Sequence, residues 1–404
     1  MKILIANKFY HERGGDCIYT LQLENLLAYF GHKVAVFSMK HPNNLPNTWN
    51  RYWPSNVEFS DKNVNKILKM LFRPLYDREV ERKFKQLLID FKPEIVHLGN
   101  IHSQLSPIIA KIAYENSIPV VWTLHDYKLL CPSYTCLRNN TFCKKCFKNK
   151  KNVVRYKCIK NSFIASLIGY LEAIIWNRVK LEKYVSNFIC PSKFIMQKMV
   201  EGRFDASKMI VINNFLFLYE RKIDYHENKK NYYCYYGRLS LEKGVETLLK
   251  AASMLPEYHL KIIGTGPLEK YLRDKYRQAH ITFFGYLQSD ELRVIIKNAK
   301  FTVVPSECYE NNPYSIIESF ALGTPVLGAR IGGIPELIKI GYNGYLFETR
   351  NILDLKEKII EMFHEDLNEM SYNCLKFTSN YFDANTYYNK LIKIYKNLLP
   401  RLDS

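Results

Sequence analysis

Long apolar runs are missing from this chain of 404 residues. The most apolar stretch, Phe163 to Trp176, is 14 residues and contains Glu172, short of the roughly 20 residues a spanning helix needs. The opening run Met1–Ile5 meets polar Asn7 and Lys8 too early for the apolar core of a secretory leader. Ten cysteines at this length are far below disulfide-scaffold density, so free thiols in a reducing cytoplasm are expected. No heptad or short-period repeat is present, which excludes solenoids. No Gly-x-Gly-x-x-Gly follows the first strand, which argues against a dinucleotide dehydrogenase. Acid is also scarce: 39 Asp and Glu face 58 Lys and Arg, a net charge of +19. That imbalance asks for an anionic partner, whether nucleic acid, an acidic membrane surface or a phosphate-bearing ligand. No nucleic-acid reader motif accompanies the charge, so nucleic acid is not expected.

What is present is globular composition, 47% apolar and 24% charged, over a length that suits two or three domains. Short β-rich runs alternate with helix-length amphipathic stretches throughout, the pattern of parallel sheets with crossover helices. The first series is Lys2–Ala6, Lys33–Phe37, Glu94–Leu98, Pro119–Leu124, Asn187–Cys190 and Met209–Ile212. Between them, Val80, Phe84, Leu87 and Leu88 keep a helical rhythm. The rhythm stops near Asn213-Asn214, and the polar run Glu220–Asn231 reads as a linker or loop. The second series is Tyr232–Tyr236, His259–Ile263, Ile281–Phe284, Phe301–Val304, Pro325–Leu327 and Gly344–Phe347. Two doubly wound α/β domains are expected, 1–213 and 214–383, with a ligand cleft between them. The last stretch, 384–404, has Tyr388, Leu391, Ile392 and Tyr395 at helical spacing and reads as a helix packing back toward the first domain.

Two loops of the second half carry chemistry. Gly237-Arg238-Leu239-Ser240-Leu241-Glu242-Lys243-Gly244 follows a strand and sets two cations at the carboxyl edge of a sheet, where α/β folds bind ligands. Arg offers a planar fork to phosphate oxygens and Lys a compact charge. The second loop, Glu310-Asn311-Asn312-Pro313-Tyr314-Ser315-Ile316-Ile317-Glu318, opens a helix with proline near its start. A helix start presents backbone N–H groups to phosphate, and Glu318 can accept hydrogen bonds from vicinal ribose hydroxyls. Taken alone, these are also an ordinary basic loop, a helix-cap acid and a solvated acid.

With Gly264-Thr265-Gly266-Pro267, Phe284-Gly285-Tyr286, Pro305-Ser306, Ala321-Leu322-Gly323-Thr324-Pro325-Val326 and Gly332-Gly333-Ile334-Pro335-Glu336 in order, the chain resembles retaining glycosyltransferases. The class is the two-Rossmann (GT-B) one, in the large bacterial family with glycogen-synthase-like and mannosyltransferase members. Asn311-Asn312 departs from the glycine/aromatic pair that often follows the first glutamate. The resemblance implies that Arg238 and Lys243 neutralise a donor diphosphate, Glu318 holds the ribose and Glu310 meets the donor sugar. Backbone groups around Asn312, Pro313, Tyr314 and Ser315 would touch the distal phosphate. Gly264 and Gly266 would allow close approach, and Gly285 and Tyr286 would flank the base. In the first half, Gly14-Gly15 would form a glycine loop facing the diphosphate, and His125, after the strand ending at Leu124, would approach the sugar. Taken alone, His125 reads as a structural histidine at a strand end.

The activity so implied is hexosyl or N-acetylhexosaminyl transfer, from a UDP- or GDP-linked sugar to a glycan or lipid-linked saccharide, in bacterial surface polysaccharide synthesis. No catalytic metal is expected, since two side-chain cations hold the diphosphate. A nucleotide-sugar epimerase and a nonenzymatic glycan-binding scaffold are the alternatives. Half of the cysteines, Cys131, Cys136, Cys143, Cys146 and Cys158, fall within a basic insertion at about 131–160. Cys143 and Cys146 have a metal-clamping spacing that Cys131 and Cys158 would complete as a structural zinc site, with Cys136 able to replace Cys131 and unligated thiols the alternative. Residues 141–160 hold eight Lys or Arg and no acid, ahead of an apolar helix expected at Asn161–Lys180 with Trp176. That pairing suits peripheral attachment at the anionic inner face of the cell membrane.

Overall fold

The computed structural model describes residues 1–57, 71–217 and 229–400. Most of the expected linker Glu220–Asn231, residues 220–228, lies outside the described residues. The chain divides into two compact units, Met1–Asn213 with Ala384–Ser404, and Asn214–Asp383. Among the described residues no helix is long and apolar enough to cross a membrane.

The first unit is built on β1 (Lys2–Ala6), β2 (Lys33–Phe37), β3 (Ile95–Leu98) and β4 (Val120–Thr123), with a small hairpin of β5 (Leu137–Arg138) and β6 (Thr141–Phe142). β7 (Asn187–Cys190) and β8 (Met209–Val211) complete it. The large sheet is parallel with order β2-β1-β3-β4-β7-β8. Ile3 of β1 pairs with Val34 on one side and Ile95 on the other. Such strands are buried on both faces, hence the unbroken apolar runs rather than alternation. Helix Arg78–Phe91 starts where the Asp77 side chain accepts from the Glu79 and Val80 amides, and it buries Val80, Phe84, Leu87, Leu88 and Phe91.

The helix Ala384–Leu398 belongs to this unit and buries Tyr387, Leu391, Ile392, Ile394 and Tyr395. Its tyrosines are the fastening. Tyr395 Oη lies 2.5 Å from His97 Nδ1, Tyr387 bonds to Tyr19, and the Tyr388 ring stacks on Phe30 at 3.7 Å.

Two local expectations are corrected. The apolar helix over Asn161–Lys180 is two helices, Phe163–Ile175 and Arg178–Tyr184, because Asn177 breaks the run and caps the second through the Lys180 amide. The hairpin β5–β6 was not foreseen; its turn is Asn139-Asn140, with φ of +48° and +57°, the conformation a tight two-residue hairpin turn demands.

The second unit contains β9 (Tyr232–Tyr236), β10 (His259–Ile263), β11 (Ile281–Gly285), β12 (Thr302–Val304), β13 (Val326–Ala329) and β14 (Gly344–Phe347). It is again all parallel, in the order β11-β10-β9-β12-β13-β14. Connections leave β9 toward one edge of the sheet and β12 toward the other. The crevice beyond their carboxyl ends is the switch point, where open α/β sheets take ligands. In the first unit the corresponding switch lies between β1 and β3.

Candidate functional site

At the second unit's switch point, β9 ends in buried Tyr236 and leaves through Gly237, at φ +148°. The loops here touch backbone to backbone. A Cβ on Gly264 would lie 2.0 Å from the Gly237 carbonyl oxygen, one on Gly266 2.3 Å from that of Leu239, and one on Gly244 1.9 Å from that of Pro305. Gly332, at φ +62°, sits in the same way against the Glu310 carbonyl, which accepts the Gly333 amide at 2.7 Å. The space beside Gly264 and Gly266 is filled by the Gly237–Leu239 loop, so their glycine character serves loop against loop.

Within this frame Lys243 Nζ meets Glu310 Oε1 at 2.6 Å, and Ser306 Oγ donates to the same oxygen at 2.7 Å. Burial alone would raise the Glu310 carboxyl, but the Lys243 charge and these hydrogen bonds hold it below the ordinary range. Burial likewise works against the Lys243 ammonium, and Glu310 overcomes it, raising the amine. Both groups are therefore charged at neutral pH. Arg238 lies on the exposed part of the same loop, its carbonyl accepting from Tyr235 Oη at 2.8 Å.

Helix Tyr314–Ala321 begins at Pro313 without a side-chain cap. Proline has no N–H, so Pro313 shapes the start and offers nothing to a phosphate. The Asn312 side-chain oxygen and carbonyl are occupied by the Asn214 amide (3.0 Å) and Asn214 Nδ2 (2.8 Å). Tyr236 Oη donates to the Ser315 carbonyl, fixing the first turn to β9. The Tyr236 hydroxyl is raised first by burial and then by the charge of half-buried Glu318, so that acid is within electrostatic reach of the strand end. Gly285, at φ +76°, gives its carbonyl to the Gly264 amide at 2.7 Å, and Tyr286 follows it, well exposed.

In the first unit the Gly14-Gly15 loop runs from the end of β1 into helix Gly15–Tyr29. Gly14 is extended, and a Cβ there would meet nothing closer than Asp16 Oδ1 at 3.5 Å. Neither its backbone nor its surroundings demand glycine for the fold. Next to it Asp16 accepts from Asn100 Nδ2 at 2.9 Å and faces Lys8 Nζ at 3.9 Å. Burial opposes the Asp16 charge, and the Lys8 charge with the Asn100 hydrogen bond helps hold the carboxyl below its ordinary range.

His125 is half-buried, its ring edge-on to Tyr19 at 4.6 Å. Burial pushes it down to about 4, against the pull of Asp16. It is thus a neutral imidazole at physiological pH, a hydrogen-bonding group and not a cation. Beneath it, His97 Nε2 lies 2.8 Å from Thr123 Oγ1 and 3.3 Å from Tyr19 Oη. Sequence reading gave no site role to Lys8, Asp16, Asn100 or the Tyr19–His97–Thr123 network, and counted Ser306 in the resemblance without a role. Asn7-Lys8 at the end of β1, and an acid directly after Gly14-Gly15, were the available signals.

All ten cysteines are free thiols. Cys131, Cys136 and Cys146 are buried, while Cys143 and Cys158 are half-buried. The Cys136 and Cys146 thiols bond to Cys131 and draw it below the usual thiol range, and the same contacts raise both partners. Cys158 in turn feels the charge of Cys131 and of Cys143, so all five thiols of the insertion lie near one another. Among the described residues no group of three or more His, Cys, Asp or Glu side chains is disposed to hold a metal ion.

Residues 13–216 match the family described as Glycosyltransferase Family 4, and residues 219–377 that described as Glycosyl transferases group 1. The chain belongs to the family 4 glycosyltransferases. An uncharacterised glycosyltransferase of Methanocaldococcus jannaschii is 33% identical over 213 residues, covering 50% of this chain and 59% of that relative's length. An uncharacterised 42.6 kDa protein in the cps region of Klebsiella pneumoniae is 25% identical over 376 residues, 88% of this chain and 92% of its own length. Among solved structures, Anabaena HepE in complex with UDP aligns over 98% of this chain and 100% of its own, with a TM-score of 0.63 at 16% identity. That likeness concerns the fold, which in this glycosyltransferase is the GT-B pair of parallel-sheet, Rossmann-like domains.

Proposed function

We propose that this family 4 glycosyltransferase moves a sugar from a nucleoside-diphosphate donor to a glycan or lipid-linked saccharide, with retention at the anomeric carbon, in surface polysaccharide synthesis. The observation that carries the reading is the Lys243–Glu310–Ser306 cluster at the β9/β12 switch point, with exposed Arg238 on the same loop. In the reaction the bond from the anomeric carbon to the diphosphate oxygen breaks, and a bond from that carbon to the acceptor oxygen forms. The acceptor's proton leaves toward the departing diphosphate.

Negative charge builds on the leaving group, and stabilising it in the transition state is the main demand on the protein. Arg238 meets that demand from solvent as a planar fork. Lys243 does so while fixed by Glu310, and two side-chain cations supply charge that in other designs a bound metal provides. Glu310 accepts from donor-sugar hydroxyls, Glu318 from ribose hydroxyls, and the first-turn amides of helix Tyr314–Ala321 meet the distal phosphate. His125, held neutral, offers the sugar ring a hydrogen bond without adding a positive charge that would oppose the developing oxocarbenium. Uridine as the base draws support from the UDP complex of the Anabaena neighbour, and a polysaccharide acceptor from the cps-region relative.

Incubating the purified chain with UDP- and GDP-sugars tests the reading by following free nucleoside diphosphate. Release that Arg238→Ala and Glu310→Gln abolish is the expected result. A product sugar that stays nucleotide-linked would mean epimerisation, and no turnover of any donor would remove the enzymatic reading.

A further inference from the structure

Helix Phe163–Ile175 is inside out. Its buried residues are Ser166, Gly169 and Glu172, while Phe163, Ile164, Leu167, Leu171 and Ile174 are all exposed. Four of these, at 164, 167, 171 and 174, repeat at helical spacing and so form a single stripe about 15 Å long. The polar face is consumed internally. Glu172 pairs with Lys128 at 3.0 Å and accepts the Ser103 amide at 3.3 Å, and Ser166 Oγ accepts the Ile159 amide at 3.1 Å. Gly169 lets the helix press against the Cys-rich insertion, since a Cβ there would meet Ile159 Cδ1 at 2.4 Å. Those bonds hold the helix in this rotation and keep its apolar side outward. Contiguous exposed apolar surface of this kind marks an interaction site.

Charge says what covers it. From residue 127 to residue 171 the chain has no acid. Lys148, Lys151, Arg155, Lys157 and Lys160 are exposed on the insertion that packs against the helix, and Lys180 and Lys183 are exposed just past its far end. A second copy of this chain docking face to face would bring like charges together. An anionic bilayer complements both parts, phosphates for the basic rim and acyl chains for the stripe.

We propose that this helix is a lipid-docking surface that seats the protein on an anionic membrane. Trp176, expected from the sequence to be part of the anchor, is not: it is buried and donates its indole N–H to the Pro74 carbonyl at 3.2 Å. Lys150 is likewise turned inward, bonding to the Leu129 and Leu130 carbonyls, so the basic contribution comes from its neighbours. The proposal stands on the surface alone and does not depend on the chemistry assigned to the switch-point site.

The test is flotation of the full chain with vesicles of phosphatidylcholine alone and with phosphatidylglycerol added, across a salt series. Binding to the anionic vesicles only, weakened by salt, is expected. Leu167→Ser with Leu171→Ser and Ile174→Ser should lower it at least about tenfold while nucleotide affinity holds and melting temperature changes little, because the helix is held through its buried Ser166, Gly169 and Glu172. Lys151→Gln with Arg155→Gln and Lys157→Gln should lower it and flatten the salt dependence. Equal flotation with neutral and anionic lipid, none with either, or a stripe variant that floats like the parent would overturn the proposal. So would a parent that sediments as a dimer and a stripe variant that sediments as a monomer, which would assign the stripe to a second copy.

Discussion

The two switch points of this glycosyltransferase are built by different means. In the second unit, loops are pressed together through glycines whose missing Cβ atoms leave room for a neighbouring carbonyl, and the functional groups are ions paired across that contact. In the first unit the loop after β1 is open at Gly14, and the His125 ring lies against Tyr19, part of a neutral network with His97, Thr123 and Tyr395. An ion pair needs tight backbone geometry to place its charges, whereas a neutral imidazole needs burial to stay neutral. The contrast suits the proposed reaction, which would concentrate negative charge on the diphosphate and positive charge on the sugar.

The sharpest break in that comparison lies at the ions. Lys243→Ala should reduce turnover by about a hundredfold or more and also destabilise the second unit by about 2 kcal/mol. That figure lies between the exposed and buried limits for a pair, because the Lys243 side chain is 34% accessible and that of Glu310 13%. Arg238→Ala should match it in turnover without any loss of stability, since its side chain is exposed and carries no packing. Parallel kinetics and thermal melts separate the two. Equal destabilisation by both variants would mean that Arg238 is structural.

The glycines give the next effect. Gly264→Ala forces a Cβ to within 2.0 Å of a backbone oxygen at a φ of +123°, and should cost about 3 kcal/mol. Gly14→Leu, at an extended φ of −164° with open space beside it, should leave stability within about 0.5 kcal/mol yet depress turnover by filling the loop's open side. A melt that places both variants at parental stability would show that the second unit's loops adapt, and the distinction between the two sites would fall.

Fold and chemistry were unequally legible in the sequence. The strands could be read because buried parallel strands are unbroken apolar runs, and β1, β2, β7, β9, β10 and β14 begin and end where the residues say. Two sheets of Rossmann type followed from the alternation. The site was legible in residue type but not in partnership. Nothing in Lys243 or Glu310 announces that they bond to each other 67 positions apart, or that Gly332 is there to admit the Glu310 carbonyl. Chemical similarity misled at Trp176, which reads as a surface anchor yet is buried. The deciding fact is the break in the helix at Asn177, which composition does not encode.

The smallest effect concerns the neutral network and is read in pH. Burial holds His97 down to about 3 and His125 to about 4, against about 6.5 in an unfolded chain. Between those values the unfolded state binds more protons than the native one, so stability rises with pH across that range. The contribution of both histidines is complete above about 6.5 and is lost as pH falls toward 4 and then 3. His102, buried beside Trp122 and also held well down, acts in the same direction. Glu310 and Asp16, held low in the folded state, add their own loss only once pH falls below the ordinary carboxylate range, about 4. In the interval from about 6.5 to 4.5 the depressed histidines, His11 and His32 among them, lead, while the raised carboxyls of Glu24 and Asp126 oppose them, so the His97 share is read by difference. Melting temperature should decline through this interval, and His97→Gln, which keeps hydrogen-bonding atoms but cannot titrate, should make the decline shallower. An unchanged slope in that variant would mean that His97 is not neutral in the native state, and the neutral network beside His125 would fall.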